Sequence, residues 1–212
     1  MKNSIKLLLK KLVPQQILLR RRNQLIQKDI EEWQKQGCPL PAPHVVKQSV
    51  IKEYQHKYGY SILIETGTFM GEMVEAQKKN FKKIISIELG IDLFKQAQKR
   101  FISDSNILIV NGDSGKVLPK ILNDIHEPAI FWLDGHYSEG ITAKGNKECP
   151  IFEELDAILN SKELNHIILV DDARCFVGKG DYPTIDELNN YIKGKNKNYH
   201  LEVKYDIIRF VI

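Results

Sequence analysis

The chain has 212 residues, 42% of them apolar and 27% charged, which suits one soluble α/β domain of ordinary size with a short appendage. No apolar run approaches the roughly 20 residues that span a bilayer. The three cysteines, Cys38, Cys149 and Cys175, are far apart and show no CxxC or Cys/His zinc spacing, which argues against a disulfide framework and for a reducing, cytoplasmic setting.

The net charge of +4 is unevenly spread. Residues 1–28 carry Lys2, Lys6, Lys10, Lys11, Arg20, Arg21, Arg22 and Lys28 and no acid, so the rest of the chain sums to −4. The opening "SIKLLLKKLV" starts like a signal peptide, but Lys10 and Lys11 interrupt its apolar stretch and no small-residue cleavage site follows. A basic amphipathic arm is the better reading, divided by Pro14 into helices at about 4–12 and 15–34. Such an arm suits a homodimer contact, packing on the body, or an anionic membrane surface such as the inner membrane face. No aromatic residue interleaves its basic ones before Trp33, so no nucleic-acid partner is expected.

"GCPLPAPH", residues 37–44, reads as an extended linker with three prolines, and a helix at about 45–58 follows. The expected organisation is therefore an extension over 1–58 and a main domain over 59–212. From residue 60 short apolar runs alternate with helical segments. Strands are expected at 61–65, 84–88, 106–110, 129–134 and 166–171, with helices near 70–80, 91–102, 114–124 and 151–161. Runs such as "IISI", "NILIV" and "HIILV" are apolar on both faces, the mark of a parallel sheet covered by helices. Right-handed crossovers make it a doubly wound α/β fold that binds ligands beyond the carboxyl ends of its strands. After a helix at 184–193, "YHLEVKYDIIRFVI" reads as a hairpin of strands 199–204 and 207–212 with a tight turn near Tyr205-Asp206.

The strand ends carry the chemistry. The first ends in "ETGTFMG", residues 65–71. Gly67 permits a turn with close backbone approach, and Gly71 lets the next helix pack near a ligand. No G-x-G occurs, which counts against a dinucleotide. An anionic Glu65 suits a cationic ligand better than a pyrophosphate. Glu88 ends the second strand about twenty residues beyond Gly67, where a carboxylate accepts from ribose hydroxyls. Asp113 and Ser114 follow the third strand, at a position where helix capping is also common. Asp134 ends the fourth strand, and the pair Asp171-Asp172 ends the fifth. Adjacent strands lie about 4.8 Å apart, so these three carboxylates would repel unless protonated or bridged by a cation. An oxygen-only set favours Mg²⁺. The alternative is that Arg174, Lys144 or His136 neutralises them.

Five alternating β/α units closed by a hairpin are similar to the class I S-adenosylmethionine-dependent methyltransferases. That resemblance implies a seven-stranded Rossmann-like sheet of order 3-2-1-4-5-7-6 with the last strand antiparallel. The set "ETGTFMG", "SIEL", "NGDS", "WLDGH" and "LVDDAR" resembles the metal-dependent O-methyltransferases of the catechol and macrocin types, over about residues 60–212. It implies S-adenosylmethionine bound by Glu65, Thr66, Gly67, Thr68, Gly71, Glu88, Asp113, Ser114 and Asp134. It also implies Mg²⁺ held by Asp134, Asp171 and Asp172. The catechol enzymes carry a lysine base three residues after the first metal aspartate; here that place holds Tyr137, and His136 is the candidate base, with Asp134 beside it. The polar loop 135–150 reads as a lid or binding loop. Its "LDGHYSEGITAKG" pattern looks like methyltransferase-like proteins of cell-surface glycan and natural-product pathways, implying a hydroxyl on a small molecule or glycan as acceptor. The amino-methylating signature (D/N)PP(Y/F) does not follow the fourth strand.

Overall fold

The computed structural model describes residues 15–135, 149–161 and 165–212. Contacts divide the chain into two compact units at Val46/Lys47. In the first, helix α1 (Gln15–Lys35) carries few apolar residues, and its Gln27 side chain donates to Glu31 at 3.1 Å. The segment after it folds back locally, with the Trp33 indole N–H donating to the Pro39 carbonyl at 2.9 Å. The expected helix at 4–12 lies outside the described residues. The division falls inside α2 (His44–Tyr58), twelve residues before the boundary expected from the linker prolines. Val50, Ile51 and Tyr54 explain this, because all three are buried in the core of the second unit.

The second unit is a seven-stranded sheet in the order β3-β2-β1-β4-β5-β9-β8. Its strands are β1 (Ile62–Thr66), β2 (Lys83–Glu88), β3 (Ile107–Asn111), β4 (Ala129–Leu133), β5 (Ile167–Val170), β8 (His200–Lys204) and β9 (Ile207–Val211). The first five are parallel neighbours, and β9 enters antiparallel between β5 and β8. The helices between them are α3 (Glu72–Gln77), α4 (Ile91–Arg100), α5 (Ser114–Leu122), α6 (Ile151–Leu159) and α7 (Ile185–Lys195). The order matches the expected one once an unanticipated hairpin is set aside. That hairpin, β6 (Val177–Lys179) with β7 (Tyr182–Thr184), forms a separate two-stranded sheet. Three-residue strands, the first exposed throughout, are too short to show an alternating pattern in sequence.

Alternate residues of each central strand serve opposite faces, as the two-residue period of a strand requires. Leu63, Ile84, Ile130, Trp132, Ile167 and Leu169 pack with Val50, Ile51 and Tyr54 of α2, Met73 and Val74 of α3, and Phe101. Ile64, Ile85, Phe131, Leu133, Ile168 and Val170 pack with Leu118 of α5, Leu155 of α6 and Leu188 of α7. Both faces are therefore covered, which is why the strands read as unbroken apolar runs. The edge strands β3 and β8 are partly exposed. His166, just before β5, is buried. Its Nδ1 accepts from the Ala129 N–H at 3.1 Å, which places its proton on Nε2, facing the Ser161 hydroxyl at 3.1 Å. Among the described residues the cysteines are free thiols and no helix is long and apolar enough to cross a membrane.

Candidate functional site

The carboxyl ends of β1, β2, β4 and β5 bring most of the expected residues to one rim. Glu65 pairs in register with Ser86 of β2. Its carboxyl is buried, and its Oε2 accepts from the Ser86 hydroxyl at 2.5 Å. The Thr68 hydroxyl lies 2.6 Å from the same Ser86 oxygen. Ser86 has one hydrogen, so when it donates to Glu65 it must accept from Thr68. Burial, opposed by the Ser86 bond and reinforced by nearby Glu88, pushes the Glu65 pKa up to about 8. The expectation of an anionic Glu65 is corrected accordingly. At neutral pH and with no cation beside it, this carboxyl is mostly protonated, because the low-dielectric strand end disfavours its charge.

Glu88 is also buried, and both its oxygens are fixed by backbone: Oε2 by the Phe69 N–H and Oε1 by the Gly90 N–H, each at 2.8 Å. One carboxylate thus ties the glycine turn after β1 to the start of α4. Each oxygen keeps a further lone pair for a ligand. Gly67 adopts φ +84°, and a Cβ there would stand 2.3 Å from the Asp134 carbonyl oxygen. The close backbone approach is therefore between two strand ends of the protein itself. Gly71, at φ +74°, makes room for the Phe101 ring, which a Cβ would meet at 2.7 Å. Its small size serves helix packing here.

Other expected contacts are spent inside the protein. The Thr66 hydroxyl accepts from the Asp134 N–H at 3.3 Å, beside the backbone bond from that N–H to the Thr66 carbonyl. Asp113 caps α5 by accepting from the Gly115 N–H at 3.1 Å and pairs with Lys116. The Ser114 hydroxyl donates to Glu154 at 2.5 Å. Sequence reading missed Glu154, a buried acid in the first turn of α6. Its Oε1 lies 3.1 Å from where a Cβ on Gly135 would fall, next to the Thr66 hydroxyl. Its only signal was an acid in a first turn, which helix-dipole arguments already explain.

The three aspartates do come to one corner. Burial first, and then the charge of Asp171, hold the Asp134 carboxyl well above the usual carboxylate range. Burial likewise raises Asp171, against the pull of Lys47. Asp172 stands in the left-handed region at φ 56°, with its N–H donating to Asp171 Oδ1 at 2.8 Å. Into this corner reaches Lys47 of α2, its Nζ 2.5 Å from Asp171 Oδ2 and 3.1 Å from Asp172 Oδ1. Burial alone would lower the Lys47 pKa, but Asp171, Asp172 and Asp134 together raise it, so it stays charged. Arg174 adds a bond to Asp172 Oδ1 at 2.8 Å and grips buried Asp206. Arg174 had been weighed as a neutraliser; Lys47, 124 residues from Asp171, gave no sign in sequence.

The donor set was expected to suit Mg²⁺, and as arranged it does not fit. Among the described residues no three acid, histidine or cysteine side chains gather as a metal-ligand group. The position between Asp171 and Asp172 is taken by an ammonium. Asp134, Asp171 and Asp172 as metal ligands therefore stay an expectation from sequence, with Lys47 now standing between two of them. His136, Lys144 and loop residues 136–148 lie outside the described residues.

The sequence matches no protein-family model and no curated protein. Several solved structures share the fold. A methyltransferase of Podospora anserina, PaMTH1, solved with S-adenosylhomocysteine, aligns over 94% of this chain and 97% of its own with TM-score 0.58 and 14% identity. The O-methyltransferase TomG of Streptomyces achromogenes, involved in tomaymycin synthesis and solved with S-adenosylmethionine, aligns over 88% of each chain with TM-score 0.59 and 14% identity. An O-methyltransferase of Bacillus cereus, solved with S-adenosylhomocysteine, aligns over 88% and 90% with TM-score 0.55 and 11% identity. The sheet order, the antiparallel β9 and these likenesses together give the chain the Rossmann-like fold of the class I methyltransferases.

Proposed function

We propose that the chain is an S-adenosylmethionine-dependent methyltransferase acting on a hydroxyl of a small molecule or glycan. One observation carries the reading: two buried carboxyls, Glu65 and Glu88, stand at the ends of adjacent strands, Glu88 two residues beyond the Ser86 that pairs with Glu65, at a glycine turn that lacks G-x-G. Glu88, already oriented by two N–H groups, suits the paired hydroxyls of a ribose. Glu65, uncharged until a cation approaches, suits a ligand that bears positive charge. When bound, S-adenosylmethionine supplies a methyl group already activated on a sulfonium.

The chain's own task is then to hold the acceptor oxygen in line and remove its proton. We assign the proton to His136, two residues after Asp134 in sequence. The exchange balances with no further reagent: the acceptor oxygen bonds the methyl carbon, the carbon–sulfur bond breaks onto sulfur, and the histidine takes the proton. Mg²⁺ is left out of this scheme because Lys47 fills the gap between two of its expected ligands. The resemblance of the fold to TomG and the Bacillus cereus protein, both O-methyltransferases by name, supports oxygen as the nucleophile.

Thermal shift and calorimetry with S-adenosylhomocysteine test the cofactor. At about a hundred times its Kd the ligand is expected to raise the Tm by roughly 5–10 °C, while NAD leaves it unchanged. Glu88→Ala, which removes charge-assisted bonds, is expected to weaken binding by about 10–100-fold. No shift with either S-adenosylmethionine or S-adenosylhomocysteine would turn the reading toward a scaffold that has kept the fold without the cofactor. With a panel of hydroxylated sugars and phenols, His136→Ala is expected to lower kcat by about 10²–10⁴ while cofactor affinity holds. Unchanged turnover would remove His136 from the scheme.

A further inference from the structure

The corner where β4 and β5 end contains more acid than a protein leaves uncompensated. Asp134, Asp171, Asp172 and Asp206 meet there, and the chain answers with Lys47 and Arg174. Five aspartate oxygens already accept from the protein: Asp171 Oδ1 from the Asp172 N–H, Asp171 Oδ2 from Lys47, Asp172 Oδ1 from both Lys47 and Arg174, and Asp206 Oδ1 and Oδ2 from the Arg174 N–H and guanidinium. Lys47 is not a loose surface lysine folded inward. It leaves a helix whose Val50, Ile51 and Tyr54 are buried in the core. That helix is further tied by the Gln77 side chain, which donates to the Gln48 carbonyl at 2.8 Å. The ammonium is thus delivered by a rigid element to the space between two carboxylates.

We propose that Lys47 is a built-in cation, supplying from α2 the positive charge that a divalent ion would supply between Asp171 and Asp172, so that this site works without metal. Lys47 is then a positioning residue. It holds both carboxylates in fixed places, and two of the three ammonium N–H groups are engaged in doing so. The charge of Asp134 acts on the same ammonium. An ammonium carries one charge and has no open coordination position, so the role it fills is electrostatic and orienting. The inference rests on the methyl-transfer reading only for what the corner is used for, and not for the cation itself.

The test is metal binding, followed by water-proton relaxation with Mn²⁺ and by calorimetry with Mg²⁺. The wild-type protein is expected to show no saturable binding below about 1 mM. Lys47→Ala frees Asp171 Oδ2 and leaves Asp172 Oδ1 to Arg174 alone, and is expected to gain saturable Mn²⁺ binding at least about tenfold tighter. Asp171→Asn added to Lys47→Ala is expected to abolish that gain, and Lys47→Arg, which keeps the charge, is expected not to show it. Saturable wild-type binding below about 0.1 mM that disappears in Asp171→Asn would overturn the proposal, as would a Lys47→Ala protein with no gain. If Lys47→Ala does not fold, Lys47→Met takes its place, and the wild-type titration decides by itself. S-adenosylhomocysteine binding measured on the same samples separates the two ideas. Its absence sinks the cofactor reading and leaves the metal result to judge Lys47.

Discussion

At pH 8, Glu65→Gln is expected to melt several degrees above the wild type, whereas at pH 5 the two are expected to melt close together. The Glu65 pKa is raised from its ordinary 4.5 to about 8 in the folded protein, chiefly by burial. Between those values the folded state binds the proton and the unfolded state does not. The stability gained from holding that proton is fully present below about pH 4.5 and is lost as pH rises through about 8. The full loss has an upper limit on the order of 5 kcal/mol. Glutamine keeps an oxygen for Ser86 and never has to ionise, so it escapes the loss. Tm measured from pH 5 to 9 checks this; parallel curves would mean that Glu65 does not titrate in that window.

If S-adenosylmethionine binds as proposed, the same carboxyl links its affinity to pH. A cation placed beside Glu65 favours its ionised form, so binding is expected to release close to one proton at pH 7. Affinity for S-adenosylmethionine should then rise by about tenfold per pH unit until about pH 8. Calorimetry at pH 7 in buffers of different ionisation enthalpy reads the proton directly. A buffer-independent enthalpy would place the ligand's charge away from Glu65. The Glu65→Gln protein, more stable at pH 8, should bind the same ligand more weakly, which is the trade expected where a functional group is kept in an unfavourable setting.

Among the described glycines, Gly67→Ala is expected to be the most damaging substitution. The added Cβ would lie 2.3 Å from the Asp134 oxygen and 2.9 Å from its carbonyl carbon, both backbone atoms, at a residue with φ +84°. The left-handed conformation alone costs a non-glycine residue about 1–2 kcal/mol. The clash cannot be relieved by turning a side chain, so β4 must shift relative to the turn. A loss of about 3 kcal/mol or more is expected, or roughly 6–12 °C in Tm, together with loss of S-adenosylhomocysteine binding. Gly194 is the control. It lies in α7 with nothing within 4 Å of the added Cβ, so Gly194→Ala should be neutral or slightly stabilising. Equal Tm values for the two variants would show that the turn yields more easily than its contacts imply.

The elements that sequence revealed are those governed by local periodicity. Runs such as Ile84-Ile85-Ser86-Ile87 and Ile167-Ile168-Leu169-Val170 must be strands buried on both faces, and they are. Tyr205-Asp206 was legible as a turn because a two-residue link between apolar strands leaves few options; both residues indeed take positive φ. The rim of strand-end acids was legible too, since the fold rule fixes which ends face the ligand. What stayed hidden is tertiary. Lys47 looks like any helix lysine until α2 is docked. Glu154 looks like a first-turn acid until the Ser114 hydroxyl meets it. Glu65 reads as an anion until its burial is known, because charge state depends on the surroundings and not on residue type. Asp113 was open between ligand and cap, and capping is what its side chain does.

The Tyr205-Asp206 turn also sets an order of assembly. β5 can join the parallel sheet once β4 is in place, but Asp172 is held by Arg174, and Arg174 by Asp206, 32 residues further on. The Ala173 N–H closes the same loop by donating to the Asp206 carbonyl. β9, moreover, lies inside β8 in the sheet although it follows β8 in sequence. The carboxylates at the end of β5 therefore reach their final places only after the last strand of the sheet has been inserted. In a nascent chain the rim at β1 and β2 is synthesised well before the hairpin that completes the rim at β5. The order of β8 and β9 in the sheet thus ties the Asp172 corner to the C-terminal hairpin.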